Sequence, residues 1–191
     1  MKELSLHILD IVTNSINAKS SLIKIKIIEN TREGFLKIII KDNGTGIKSD
    51  DIDKIQSPFY TTRKVRNVGL GLPFLKLAAE SCEGKFNIKS EENEGTEVTA
   101  VFKRSHIDRA PLGKIEETIL TILNFSEKFD LIYMHEINSS KFCFNTREVK
   151  SVLEEDSIKD PKVLIWIREY IKENIEDISL KNNIKTAYTM L

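Results

Sequence analysis

Asp10 and Asn14 stand four residues apart in LDIVTNS, so on a helix both side chains project to one side. An amide oxygen is a hard, neutral ligand of the kind magnesium accepts beside its waters and phosphate oxygens, which makes Asn14 the candidate metal ligand. A carboxylate one turn earlier can orient or deprotonate a hydroxyl or water facing a terminal phosphate, a catalytic role open to Asp10. Alone, such a pair is most often a solvated helix face. In DNGTGI (Asp42–Ile47) the Asp42 carboxylate can accept from an exocyclic amino group such as adenine N6, and Gly44 and Gly46 let backbone approach a planar ligand. The competing reading is a plain hairpin turn, against which the residues that follow supply no partner strand. GLGL (Gly69–Leu72) sets two glycines just ahead of a helix, where free N–H groups and the positive dipole end attract phosphate. Thr61, Thr62, Arg63, Lys64 and Arg66 precede it and could close over a polyphosphate, or simply form a solvated basic loop.

These residues need elements to hold them. Apolar residues from Leu4 through Ile8, Ile11, Val12 and Ile16 recur at helical spacing, with His7, Asp10, Asn14 and Asn17 as a narrow polar stripe. Residues 22–30 and 34–42 alternate apolar and polar with isoleucine dominant, joined by Thr31–Glu33, and read as an antiparallel hairpin. A short helix is predicted over 49–55 with Ser49 as its cap, then an aperiodic loop over 57–68, a helix over 70–82, and strands over 85–90 and 96–103. That order predicts a two-layer α+β sandwich, a mixed sheet with helices on one face. The pattern breaks around Arg104–Gly113, so residues 1–105 are expected to form the nucleotide-binding domain and 106–191 a small α+β extension. The extension is predicted as a helix over 114–123, strands over 131–137 and 141–145, and helices over 146–155 and 161–178. The last is marked by Asp160 as cap and Pro161 at the first helical position.

Totals exclude several classes. With 29 basic and 29 acidic residues in 191, no net field draws the chain to nucleic acid or to a membrane surface. Cys82 and Cys143 fit no metal spacing and are read as reduced thiols. The first helix carries too many polar residues for a leader or a span, and no apolar run approaches about 18 residues, so a cytoplasmic location is expected.

Taken together, Asp10-x-x-x-Asn14, DNGTGI, PFYTTR, GLGL and EGT (Glu94–Thr96), in that order and spacing over about residues 5–103, resemble the GHKL ATPases with the Bergerat ATP-binding fold. PFYTTR looks most like bacterial histidine kinases, and DIVTNSI also like the anti-sigma serine kinases. The resemblance implies ATP and Mg2+ as cofactors, with Asn14 on the metal and Asp42 on adenine. Gly44, Gly46 and Ile47 would shape the base pocket, Gly69, Leu70, Gly71 and Leu72 would serve the phosphates, Thr62 and Arg63 the lid, and Thr96 the adenine end. Two departures stand out: Asp10 is one methylene shorter than the glutamate of hydrolysing members, and Asn67 replaces the first glycine of the fuller glycine pattern.

With no helical phosphoacceptor segment ahead of Met1, a kinase reading expects the acceptor, His or Ser, on a partner protein. Arg63 or Lys64 would steady the γ-phosphate. The alternatives are a slow ATPase switch in which nucleotide orders the lid, and a regulatory ATP-binding module without turnover. A homodimer is compatible with the extension, where Trp166 is a candidate exposed aromatic. His7 is read as a solvated or core-edge histidine, and His106 and His135 receive no role.

Overall fold

The computed structural model describes residues 2–55, 71–125, 128–153 and 157–182. Its elements follow the chain as α1 (Leu4–Asn17), β1 (Leu22–Asn30), β2 (Phe35–Asp42), α2 (Ser49–Ile55), α3 (Gly71–Glu80), β3 (Lys85–Glu91) and β4 (Gly95–Lys103), then α4 (Ile115–Phe125), β5 (Asp130–Ile137), β6 (Ser140–Asn145), α5 (Thr146–Val152) and α6 (Pro161–Lys181). The strand boundaries match the alternation in the sequence to within a residue or two. Ser49 is the first residue of α2 rather than its cap, and α5 ends at Val152 where helix was expected to residue 155.

All six strands join one sheet in the order β3-β4-β2-β1-β5-β6. Pairing is antiparallel except between β1 and β5, where Leu22 to Glu29 run parallel to Asp130 to Ile137. The strands after residue 106 therefore extend the same sheet, and their side chains enter the same hydrophobic core.

Period-two alternation decides which face is covered. Ile23, Ile25, Ile27, Leu36, Ile38, Ile40, Val98, Ala100 and Phe102 point one way and are almost fully buried beneath the helices. Among the described residues, no strand side chain on the opposite face is buried. Helix α1 lies over this core with Leu4, Ile8, Ile11 and Val12, and its first free N–H groups, those of Leu4 and Ser5, donate to the carbonyls of Pro111 and Leu112. The segment that leaves the sheet thus caps the helix that carries Asp10 and Asn14.

A buried polar chain ties β5 to β1. The Tyr133 hydroxyl lies 2.7 Å from His135 Nδ1, and His135 Nε2 lies 3.1 Å from Glu29 Oε1. Burial alone would raise the Glu29 carboxyl, but the His135 bond and the nearby Arg104 and Arg109 charges hold it below the usual carboxylate range. His135, unassigned in the sequence, is an anchor between strands.

Of the two places expected for His7, solvated or core-edge, the structure takes the inner one: it is 3% exposed, and its Nδ1 has no partner among the described residues. Burial, together with the N-terminal amine, lowers its pKa to about 4. The other three stripe residues, Asp10, Asn14 and Asn17, stay on the accessible side. The reason is packing: α1 contacts α4 as well as the sheet, which widens the buried arc beyond the apolar positions. Both cysteines are free, Cys82 buried and Cys143 exposed.

Candidate functional site

The site begins with a carboxylate that the fold has enclosed. Asp42 ends β2, its side chain turned to the helix face, and only 8% of the residue is accessible. Its Oδ2 accepts from Ser15 Oγ at 2.6 Å, and its Oδ1 accepts from Ser20 Oγ at 3.1 Å and from the Gly44 N–H at 2.9 Å. A carboxylate offers roughly four acceptor positions, so three donors fix its orientation and leave one for a ligand.

Each donor arrives for a local reason. Ser15 follows Asn14 on α1 and faces the sheet. Lys19, in the left-handed region at φ 59, reverses the chain after the helix and brings Ser20 back, where its hydroxyl also donates to the Ser15 carbonyl at 2.7 Å. Gly44 enters through the DNGTGI turn, which is stapled on three sides. Asn43 Oδ1 accepts from the Ser21 and Leu22 N–H groups, the Thr45 N–H donates to Ala18, and the Ile47 N–H donates to Ser90 Oγ at 2.9 Å. Gly46 takes a positive φ of 65°, and a Cβ there would overlap the Glu91 carbonyl, so the turn can approach the β3–β4 loop only without a side chain. Ser90 Oγ is 2.8 Å from Thr96 Oγ1, which completes the network across β3 and β4.

A cavity of about 100 Å³ opens beside Asp42. Asn14, Asp42, Gly46, Ile47, Leu72 and Thr96, all singled out in the sequence, line it with Ile11, Ser15, Ala18 and Val98. Apolar walls with one oriented carboxylate, one amide and two hydroxyls suit a flat heterocycle bearing an amino group. The volume is that of a base rather than of a whole nucleotide, for which pockets run to about 300 Å³ or more. Asn14 lies on the side of this cavity toward Asp10, and Gly71, the first residue of α3, meets Asp10 so closely that a Cβ on it would stand 2.9 Å from the Asp10 Cβ. The start of α3 and the Asp10-Asn14 face thus adjoin one another. Thr62, Arg63, Gly69 and Leu70, with the predicted lid over 57–68, lie outside the described residues.

Ser15, Ser20 and Ser90 escaped the sequence reading. Ser15 sat in the apolar stripe of α1 and Ser20 in a turn, and only pairing across the fold reveals that both aim at Asp42. A larger groove of about 500 Å³ lies between β6, α5 and α6, where Trp166 stacks on Tyr170 at 5.2 Å between ring centroids. Among the described residues, none of the predicted nucleotide residues reaches it, and its walls are mostly aliphatic and aromatic, so size alone does not make it the nucleotide site.

For magnesium, no group of three or more His, Cys, Asp or Glu side chains among the described residues could hold an ion by itself. A lone amide such as Asn14 fits an ion that brings phosphate oxygens and water as its other ligands.

Comparison with known proteins agrees with this geometry. Over 155 residues the chain is 27% identical to the autoinducer 2 sensor kinase/phosphatase LuxQ of Vibrio parahaemolyticus, which covers 78% of this chain and 18% of that protein. It is 30% identical over 92 residues to the sensor histidine kinase ZraS of Escherichia coli, covering 48% of this chain and 20% of that one. The chain thus spans about a fifth of the length of these relatives. In structure, the N-terminal domain of a DNA repair protein superposes with a TM-score of 0.55 at 16% identity, covering 75% of this chain and 52% of the other, a likeness of fold. The family model for histidine kinase-, DNA gyrase B- and HSP90-like ATPases matches residues 2–106. With that match over more than half of its length, the chain belongs to the histidine kinase-, DNA gyrase B- and HSP90-like ATPase family, and residues 2–106 form a domain of the ATP-binding kind.

Proposed function

We propose that this protein binds ATP with Mg2+ in the Asp42 cavity and transfers the γ-phosphoryl group to a side chain of a partner protein. The observation that carries the reading is Asp42 itself: a buried carboxylate oriented by Ser15, Ser20 and the Gly44 amide, with one acceptor position left toward a base-sized cavity. Asp42 would accept from the adenine amino group while Ile47, Leu72 and Val98 exclude water from the ring faces. Asn14 would lend its amide oxygen to the metal, and the N-terminal N–H groups of α3 beside Gly71 would face the phosphates. When bound, Mg2+ supplies neutralisation of phosphate charge. Asp10, exposed on the same helical face, would receive the proton of the attacking hydroxyl or imidazole as the acceptor forms its bond to γ-phosphorus and the bond to the β,γ-bridging oxygen breaks. Residues 106–191 would serve as an extension that widens the sheet and buttresses α1. The sensor kinases among the relatives favour the kinase reading over the switch.

Incubating the protein with γ-labelled ATP and Mg2+ tests this. Label on a co-purified protein or on the chain supports transfer, and free phosphate alone supports the ATPase reading. Neither outcome would leave a binding module. Calorimetry on Asn14→Ala checks the pocket separately: loss of the magnesium-dependent part of ATP affinity is expected, and an unchanged affinity refutes the assignment.

A further inference from the structure

The uncovered face of the sheet has an order of its own. Strand register sets its side chains in transverse rows. One runs Lys89, Glu97, Lys41, Lys24, Ile132 across β3, β4, β2, β1 and β5. The next runs Asn87, Thr99, Ile39, Lys26, Met134, Cys143, and the third Lys85, Val101, Lys37, Ile28, Glu136, Lys141. With Lys103 beyond them, the strands set eight lysines and no arginine of their own on this face with four carboxylates, those of Glu91, Glu97, Asp130 and Glu136, and Arg147 of α5 reaches its rim at Asp130. Three of the four carboxylates are already engaged. Asp130 binds Arg147 at 2.7 Å and Lys150 at 2.9 Å, Glu136 lies 3.5 Å from Lys26, and Glu97 lies 3.8 Å from Lys41. Among the described residues, Lys24, Lys37, Lys85 and Lys89 have no carboxylate within ion-pair distance.

Two features set this arrangement apart from an ordinary solvated face. The chain as a whole is neutral, so a basic excess here means an acidic excess elsewhere: the charge is segregated. Moreover Lys24 and Lys41 stand directly opposite each other on β1 and β2, a like-charge cross-strand pair that costs stability in the isolated protein. An opposing carboxylate would relieve both lysines together.

We infer that the open sheet face is a docking surface for an acidic protein partner, one presenting carboxylates around an apolar centre. Apart from Lys26, which Glu136 neutralises, the middle of the face is apolar or weakly polar, with Ile28, Ile39, Val101, Met134 and Thr99 half-buried or exposed, and the unpaired lysines lie above and below it. An apolar centre inside a charged rim is the layout of a protein interface. Six strands about 4.8 Å apart and about 25 Å long give a patch near the ~800 Å² per partner of a standard complex. Nucleic acid is disfavoured because, among the described residues, the strands carry no arginine here and the rim Arg147 is already paired with Asp130, leaving no free guanidinium fork for phosphate, and because the centre is an apolar belt. The surface lies on the side of the sheet away from the nucleotide cavity, so a partner there leaves the cavity mouth open.

The test uses the intact chain and a synthetic helical peptide with a leucine stripe flanked by glutamates, and the same peptide with every glutamate replaced by glutamine. The acidic peptide is expected to bind, to weaken as ionic strength rises from about 0.05 to about 0.3 M, and to lose about tenfold in affinity with the variant Lys24→Glu/Lys37→Glu/Lys85→Glu. The glutamine peptide should bind weakly, and Lys162→Glu/Lys172→Glu on α6 should change little. In the unaltered chain, bound peptide should protect Lys24, Lys37 and Lys85 from acetylation while Lys162 and Lys172 react, a readout independent of how the variants fold. Equal binding of the two peptides, or protection of the α6 lysines instead, overturns the proposal. So does tighter binding of duplex DNA or of phosphatidylglycerol vesicles than of the peptide, or self-association in sedimentation that the triple variant abolishes, since the occupant would then be another class or a second copy.

Discussion

Replacing Gly46 by alanine separates the two reasons this turn needs glycine, because Gly34 offers a control. Both residues sit at positive φ, 65° for Gly46 and 72° for Gly34, so an alanine at either bears the left-handed cost of about 1–2 kcal/mol. Around Gly34 nothing lies within 4 Å of a new Cβ, and the cost should stop there. At Gly46 the added carbon would overlap the Glu91 carbonyl oxygen, sit 2.8 Å from its carbonyl carbon and stand 3.2 Å from the Glu92 Cα. Carbon contacts settle near 3.5–4.0 Å, so the DNGTGI turn and the β3–β4 loop must part by about 1 Å. Overpacking of that kind adds about 1–3 kcal/mol. Parting also breaks the 2.8 Å bond from Asn93 N–H to the Thr45 carbonyl and moves Ile47, a wall of the cavity. Urea unfolding should therefore show Gly46→Ala about 1–3 kcal/mol less stable than Gly34→Ala, and calorimetry should show ATP affinity reduced in the first and retained in the second. Equal stabilities with equal ATP affinity would refute the account of the turn.

Further outcomes follow from the same coordinates. Ser15→Ala removes the 2.6 Å donor to Asp42 and frees the carboxylate to turn, so ATP affinity should fall about fivefold to tenfold, a hydrogen bond of about 1 kcal/mol, while the fold survives; undiminished affinity would argue against the orienting role. His7 has a pKa lowered to about 4, against 6.5 when unfolded, so the unfolded chain binds its proton more tightly below neutrality. Stability from this group is complete above about pH 6.5 and is lost as pH falls toward 4, amounting to about 2 kcal/mol between pH 7 and pH 5. His7→Leu should unfold with a flatter pH dependence over that window, and an identical slope would show that His7 is not the group responsible. His135→Phe strands the largely buried Glu29 carboxylate and should cost about 2–4 kcal/mol in urea unfolding, partly restored by adding Glu29→Gln; a loss below about 1 kcal/mol would mean that water or Arg104 already satisfies Glu29.

Much of the site was legible in the linear pattern because its chemistry is tied to elements with strong local signals. Asn14 and Asp10 are four apart on a helix whose apolar stripe is unmistakable, and Asp42 closes a strand that alternates from Phe35 onward. Gly44, Gly46 and Thr96 stand in turns or at strand starts where backbone needs, rather than packing, select the residue. From such local facts the α+β sandwich could be read directly, while Ile47, Leu72 and Thr96 joined the pocket through the resemblance of the ordered motifs to the GHKL ATPases.

The rest required distant parts of the chain to meet. Nothing near Ser15, Ser20 or Ser90 marks them as partners of the pocket, since their targets lie 27, 22 and 6 residues away across strand pairings. His7 looks polar on a helical projection, and its burial comes only with tertiary packing around α1. Likewise, the sequence of β5 specifies a strand but not its parallel place beside β1, because hydrophobic alternation sets which face is buried and says nothing about which neighbour is chosen. Strand pairing across the whole sheet assembles the lysine rows of the open face from five separate stretches of a chain whose charges sum to zero, a property that no single stretch of it contains.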